Sequence, residues 1–330
     1  MGGILEVKDL SIAYSTQDGI AKSLNHVSLT LDEGESLGLV GETGAGKTTL
    51  AKGIMRLLPS PTGRVTTDSV FYKGKDLYKL SEDDMRNIHG KEISMVFQDP
   101  MTSLNPVLTV GDQIAEAVSA HSEMSEKSAM AKAEAMLELV GIPKERAQEY
   151  PHQFSGGMKQ RVVIAIALSC NPKVLIADEP TTALDVTIQA QVLEMMKSLQ
   201  HKLNTAMLLI THDLGVVAQN CDHVAVIYAG EIVEYGTVFE IFDSMMHPYS
   251  HGLFHSIPSL TRDVKRLTPI DGMMPDPMNL PQGCVFSPRC PFAQDRCHCE
   301  HPQLVHLDKE HWIRCFFPQK EFAMEEKKYE

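Results

Sequence analysis

Three short strings in a fixed order constrain this chain more than its composition does: GETGAGKTT at 41–49, FSGGMKQR at 154–161 and VLIADEP at 174–180. A Gly-rich loop that ends in Lys-Thr after an apolar strand cradles phosphate, because backbone N–H groups and a helix N-terminus converge on the β- and γ-oxygens. Gly41, Gly44 and Gly46 permit tight turns and close backbone approach, and Ala45 and Thr49 belong to the same nucleotide-binding loop. Lys47 is expected to set its ammonium against the β/γ oxygens, and Thr48 to offer a hydroxyl to Mg²⁺. One such loop says only that a nucleotide binds. An SGG segment shortly before an apolar strand ending in Asp-Glu says more. Asp178 closes that strand, where a carboxylate is placed to hold the same Mg²⁺ directly or through water, and Glu179 is expected to face the γ-phosphate and polarise an attacking water.

Periodicity supplies the framework. Residues 4–9 and 26–32 alternate apolar and polar and are predicted as antiparallel edge strands. Residues 37–40, 93–97, 174–177, 207–210 and 224–228 are short continuous apolar runs instead. They alternate with helical segments such as 48–58, where Leu50, Ile54, Leu57 and Leu58 share a face, so they predict a buried parallel sheet in an α/β core. Between 99 and 153 the strand signal gives way to Ala, Glu, Met and Lys, and helices are predicted at 111–120 and 127–140, the latter ended by Gly141 and Pro143. Past about residue 244, Pro248, Pro258, Pro269, Pro275, Pro277 and Pro281 crowd a stretch too broken for long helices. The expected organisation is therefore a core at 1–245 with a helical insertion at about 99–160, followed by a tail at 246–330.

With 330 residues, 43% of them hydrophobic, the chain can bury a large core, and roughly two domains are expected. Apolar stretches such as 162–168 and 224–228 fall well short of the ~20 residues that cross a bilayer. The opening MGGILEVKDL lacks the basic region and apolar core of a secretory leader, so a cytoplasmic location is expected. A formal charge of −13 argues against a nucleic-acid partner, since such proteins present a basic patch, but leaves docking to a membrane protein open.

The order GETGAGKTT, Gln98, SGGMKQR, LIADEP, Thr182-Ala183-Leu184-Asp185 and His212 resembles the nucleotide-binding subunit of ATP-binding-cassette (ABC) transporters. The resemblance implies a RecA-like core with an antiparallel β subdomain and a helical insertion. It also implies an ATP sandwich in which two subunits face head to tail, each site combining one chain's phosphate loop with its partner's SGG segment. Ser155, Gly156 and Gly157 would then contact nucleotide held mainly by the other subunit, in keeping with a glycine-flanked helix N-terminus. By the same resemblance Asp185 lies at the dimer seam, Gln98 senses Mg²⁺ and the water and leads into the helical insertion, His212 hydrogen-bonds the γ-phosphate, and Tyr14 stacks on adenine. Phe154 and Met158 depart from the commonest pattern of the signature, while its serine and both glycines are intact.

Longer strings narrow the likeness. VFQDPMTSLNP at 96–106, FSGGMKQRVVIAIAL at 154–168, ADEPTTALDVTIQAQVL at 177–193, THDLGVVA at 211–218 and the tail's HPYSHGLFHSIPSL resemble the ATPase subunits of bacterial peptide and nickel importers, and the first of their two ATPase types. This implies ATP-driven solute import, with di- or oligopeptides foremost and nickel or another small solute as the alternative. The implied partners are a second ATPase subunit (a homodimer in isolation), two transmembrane permeases and an extracytoplasmic solute-binding protein, at the cytoplasmic face of the membrane. A soluble ABC ATPase acting on ribosomes or DNA is the competing class, but neither its second cassette nor its long coiled coil is present. A GTPase-like switch would carry an NKxD string, which is absent.

Five of the seven cysteines, Cys284, Cys290, Cys297, Cys299 and Cys315, crowd the tail, while Cys170 and Cys221 lie in the core. Clustered thiols in a cytosolic chain favour metal over disulfide. The resemblance assigns Cys284, Cys290, Cys297 and Cys315 as ligands of a four-iron four-sulfur (4Fe-4S) cluster and leaves Cys299 over. Four thiolates suit either that cluster or Zn²⁺; the lack of a CxxC knuckle favours the cluster, and a metal-free tail is the third reading. His298, His301, His306 and His311 are candidate zinc ligands but are expected foremost as solvated surface residues, and His247, His251 and His255, at i, i+4, i+8 with Pro248 intruding, as structural or permease-facing ones.

Overall fold

The structure, a computed structural model, describes residues 2–67, 69–99, 103–182, 184–256, 270–308 and 310–319. Expectations touching Pro100, Met101, Thr102, Ala183, Pro258 and Pro269 lie outside them. The chain forms two compact units, one of residues 1–6, 30–36 and 71–210, the other of residues 7–29, 37–70 and 211–330.

In the first unit Ile93–Val96, Val174–Asp178 and Ala206–Thr211 pair in that order as parallel strands. Every residue in them is buried, which is why they carry no apolar–polar alternation. Helices Val110–Ser119 and Glu126–Leu139 occupy the stretch predicted to be helical. Each begins on a side-chain cap: Thr109 Oγ1 accepts from the Asp112 N–H (3.1 Å) and Ser125 Oγ from the Ser128 N–H (3.3 Å). Gly141, with φ 76°, turns the chain out of the second helix. Helix Gly156–Leu168 buries Val162, Ile164, Ala165 and Leu168, so it is apolar on several sides, as an interior helix must be.

In the second unit Ser36–Val40 runs parallel to His223–Tyr228, which turns back antiparallel into Glu231–Thr237. Ala229 and Gly230, at φ 45° and 83°, make the tight hairpin link. Glu231–Thr237 is extended on its other edge by His311–Ile313, and that by Val305–Asp308, so residues of the tail complete a sheet begun by the core. Leu5–Ser15 pairs antiparallel with Gly63–Thr67 and lies in one sheet with Ile20–Leu31. Both long strands run beyond the stretches whose alternation predicted them. Asp9 and His26, at φ 58° and 51°, interrupt the regular side-to-side placement, so the period-2 pattern holds only on one side of each.

Two other expectations are corrected. The helix after the phosphate loop is Lys47–Ile54, not 48–58. Arg56 turns left-handed at φ 52°, Pro59 disfavours helix at Leu58, and Leu57 is 41% exposed rather than on the packed face. Pro248 does not break a helix but starts one: Pro248–His255 carries it at the first helical position, where its missing N–H costs nothing, and the side chain of His247 caps the end by accepting from the Tyr249 N–H (3.1 Å).

The tail packs into this unit through aromatic rings and one buried acid. Tyr228 lies 4.5 Å from Tyr249 and 5.1 Å from Phe286 between ring centroids, and all three are buried. Glu234, fully buried, accepts from the Met246 N–H (2.7 Å) and the His247 N–H (3.2 Å) and lies 2.8 Å from His311 Nε2. Removing its carboxylate strands three polar groups in the interior. Glu234→Ala is therefore expected to destabilise the protein by about 3 kcal/mol or more, read as a lower denaturant midpoint in equilibrium unfolding.

Candidate active site

The phosphate loop leaves the buried strand Ser36–Val40 and enters helix Lys47–Ile54. Its two ends have no room for side chains: a Cβ on Gly41 would stand 2.2 Å from the Ile227 carbonyl oxygen, and one on Gly46, at φ 109°, would stand 2.7 Å from the Ser23 carbonyl oxygen. Lys47, 6% exposed, donates to the carbonyls of Gly41 (2.7 Å) and Glu42 (3.1 Å). Thr49 Oγ1 lies 3.0 Å from Ser23 Oγ and 3.4 Å from the Tyr14 hydroxyl, so the aromatic expected at the base is tied to the first turn of the helix. Tyr14 and Gly44 line one pocket with Lys22, Ser23, Met274 and Pro277. Ala45 is buried, Thr48 half-buried, and His212 exposed, next after strand Ala206–Thr211 in the same unit.

The remaining residues predicted for the nucleotide site belong to the other unit. Asp178, 2% exposed, is the last residue of its strand, and Glu179 follows in left-handed backbone at φ 46°. A non-glycine residue there costs about 1–3 kcal/mol, and the Glu179 N–H bond to the Ile210 carbonyl (2.9 Å) helps hold it. The Glu179 carboxylate accepts from Gln98 Nε2 (2.9 Å) and Thr182 Oγ1 (2.9 Å) through the same oxygen. The structure thus brings Gln98 and Glu179 together and adds Thr182. Ser155 caps helix Gly156–Leu168 by accepting from the Met158 N–H (3.4 Å), and it and Gly156 are exposed. Gly157 is packed so that a Cβ would meet Ile188 Cγ2 at 2.4 Å. Asp185, also exposed, caps helix Val186–Leu203 by accepting from the Ile188 N–H (3.0 Å).

Sequence reasoning missed what grips the loop from the tail. Glu42 donates its N–H to the Tyr249 hydroxyl (2.9 Å), and its carboxylate accepts from Arg289 Nη1 (3.0 Å), 247 positions away. Burial works against the Arg289 charge, yet the Glu42 carboxylate and Tyr228 hydroxyl raise its pKa above the ordinary arginine value. No local pattern announces a contact of that separation.

The four tail cysteines assigned as ligands, Cys284, Cys290, Cys297 and Cys315, line a single cavity with His247 and Phe286, and none is in a disulfide. Burial pushes the Cys284 thiol up to about 11 and the Cys315 thiol up to about 12, and raises Cys290 as well, with the neighbouring thiols adding to each. Cys299 is exposed. Among the described residues no group of three or more His, Cys, Asp or Glu side chains is arranged to hold a metal ion. One of the histidines expected at the surface is instead used inside: His311, 4% exposed, contacts Glu234, whereas His301 stays exposed while contacting Glu231 (2.9 Å).

Residues 24–182 match the ABC transporter family, and residues 233–297 match the oligopeptide/dipeptide transporter C-terminal region. The chain is 50% identical over 318 residues to the dipeptide transport ATP-binding protein DppD of Bacillus subtilis, covering 96% of this chain and 95% of that one. It is an ATP-binding subunit of the ABC peptide-transporter family. The oligopeptide transport ATP-binding protein OppD of Bacillus subtilis is also 50% identical, over 94% of this chain and 88% of its own length. Among solved structures, the ATP-binding cassette MJ0796, captured as a dimer with ADP and phosphate after hydrolysis, is 27% identical with a TM-score of 0.63, over 71% of this chain and 98% of that one. This peptide-transporter subunit therefore has the ABC cassette fold and is an ATPase. None of its described helices is long and apolar enough to cross a membrane.

Because both the φ angle and the surrounding atoms exclude a side chain, Gly46→Ala is expected to cost about 1–3 kcal/mol and to abolish the thermal stabilisation that added ATP gives the native protein. Thermal unfolding with and without ATP and Mg²⁺ checks both effects.

Proposed function

We propose that this subunit hydrolyses ATP to drive import of di- and oligopeptides, acting at the cytoplasmic face of the membrane beneath two transmembrane permeases that an extracytoplasmic solute-binding protein supplies. Its partner in the ATP sandwich is a second, different ATPase subunit. The names and identity of the Bacillus relatives support the solute class. The observation that carries the chemistry is the Glu179 carboxylate at the end of a buried strand, held by Gln98 and Thr182.

In this reading Tyr14 stacks on the base, and the backbone of Gly41, Gly44, Ala45, Gly46 and Thr49 surrounds the phosphates with Lys47 against their oxygens. Thr48, Asp178 and Gln98 are the residues that would hold Mg²⁺, which when bound offsets charge on the β/γ oxygens. Glu179 orients a water for in-line attack and draws its proton, and His212 hydrogen-bonds the γ-phosphate. Ser155, Gly156, Gly157 and Asp185, at two helix N-termini where all but Gly157 are exposed, serve the nucleotide bound by the partner subunit. The ATPase domain spans 1–245, and its helical insertion at about 99–160 receives the permease. The tail at 246–330 forms the importer-specific extension.

The donor set around the tail cavity fits a 4Fe-4S cluster held by Cys284, Cys290, Cys297 and Cys315. A single zinc would need four sulfurs each about 2.3 Å from one point. Four thiols line one cavity, and their sequence spacing lacks the CxxC knuckle usual for a zinc site, which favours the cluster. Such a core, ligated by thiolates, would cross-link segments of the tail that are distant in sequence.

Two measurements test these assignments. Glu179→Gln is expected to bind ATP within about threefold of the native Kd while losing about 10²-fold or more in turnover; undiminished turnover would remove Glu179 as the base. Protein purified without oxygen is expected to contain iron and acid-labile sulfide, with a visible absorbance lost in Cys290→Ser. Stoichiometric zinc, or no metal, would refute the cluster and leave the ATPase reading intact.

A further inference from the structure

Glu42, the second residue of the phosphate loop, is a node for both main chain and side chain. Its N–H donates to the Tyr249 hydroxyl, its carbonyl accepts from Lys47 Nζ (3.1 Å) and the Ala45 N–H (3.1 Å), and its carboxylate accepts from Arg289 Nη1 (3.0 Å). Arg289 is itself fixed from behind. Its Nε donates to the Asp271 carbonyl (2.9 Å), Nη2 to the Ile270 carbonyl (3.2 Å), and Nη1 also reaches the Tyr228 hydroxyl (3.3 Å). Its side chain is 6% exposed against 29% for that of Glu42. A planar guanidinium anchored by main-chain carbonyls cannot follow a moving partner, so it holds the Glu42 carboxylate at one place.

Two consequences converge on the loop. The Glu42 carbonyl that receives the Lys47 ammonium is carried by a residue clamped at its N–H by Tyr249 and at its carboxylate by Arg289. A carboxylate within a triphosphate-binding loop also repels the ligand unless a cation sits on it, and Arg289 is that cation. We propose that Arg289, supplied by the C-terminal tail, is a positioning residue of the nucleotide site: it fixes Glu42 and cancels its charge, so that the phosphate loop presents Lys47 to ATP. This rests on the reading that residues 41–49 bind the nucleotide.

The test is a double-mutant cycle on the full chain, with a fluorescent ATP analogue and Mg²⁺ giving Kd and steady-state assays giving KM and kcat. Arg289→Met is expected to raise Kd and KM about tenfold while kcat changes less than about threefold, because Glu179 and Gln98 are untouched. Glu42→Gln, which removes the charge needing compensation but weakens the Arg289 contact, is expected to raise Kd less than Arg289→Met does, and Glu42→Gln/Arg289→Met to bind more tightly than Arg289→Met alone. Rescue by a second substitution separates positioning from a general loss of structure. An unchanged Kd in Arg289→Met, or a double variant no tighter than Arg289→Met alone, would overturn the proposal. If Arg289→Met does not fold, the same cycle run with Arg289→Gln carries the comparison. Lys47→Ala in the same assay keeps the two readings apart. ATP binding that survives it defeats the phosphate-loop reading; binding lost in Lys47→Ala but intact in Arg289→Met defeats only the role of Arg289.

Discussion

Backbone packing at the two ends of the phosphate loop governs much of the second unit. Gly41 meets the Ile227 main chain and Gly46 the Ser23 main chain at separations that admit no Cβ, so the loop is pressed between two strands rather than draped over them. A ring of N–H donors is useful only if it keeps its shape before an anion arrives, since reshaping it would subtract from binding. Pressing the loop between strands supplies that rigidity. The lysine, by contrast, donates hydrogen bonds to two loop carbonyls, contacts that can be exchanged for phosphate oxygens.

The same logic, inverted, applies to Glu179. It stands in a strained left-handed conformation directly after a fully buried strand, and its carboxylate is shared by an amide and a hydroxyl from different segments. Strain at that position persists because the strand beneath it cannot shift: all its residues are interior, and all but the last, Asp178, are paired on both sides. The rigid parallel strands fix where the Glu179 carboxylate stands, and Gln98, exposed beyond the end of a neighbouring strand, donates to it.

Much of this was legible in the sequence. Continuous apolar runs marked the parallel strands because such strands are covered on both faces, and the loop, the Asp-Glu pair and the SGG turn each carry local composition that only a few backbone shapes explain. The errors have physical causes. Positive-φ residues at Asp9, His26 and Arg56 broke the regular periods on which strand and helix limits were read. Pro248 looked like a breaker because its effect depends on position, and at the first turn of a helix it is favourable. His311 read as a surface residue because nothing near it in sequence reveals that strand His311–Ile313 adds to Glu231–Thr237, where Glu234 awaits it. The grip of Arg289 on Glu42 belongs to the same class: it exists only after the chain has closed on itself.

That closure has a consequence for how the protein is made. The unit holding the phosphate loop is assembled from residues 7–29, 37–70 and 211–330, so its first segments leave the ribosome long before their packing partners are synthesised. At bacterial or eukaryotic elongation rates the 247 positions between Glu42 and Arg289 correspond to a delay on the order of ten seconds or more. During that interval the nascent loop has neither Arg289 nor Tyr249 to hold it. A ribosome that stops early, or a protease that trims the end, releases a chain with every nucleotide motif intact and the clamp on its phosphate loop missing.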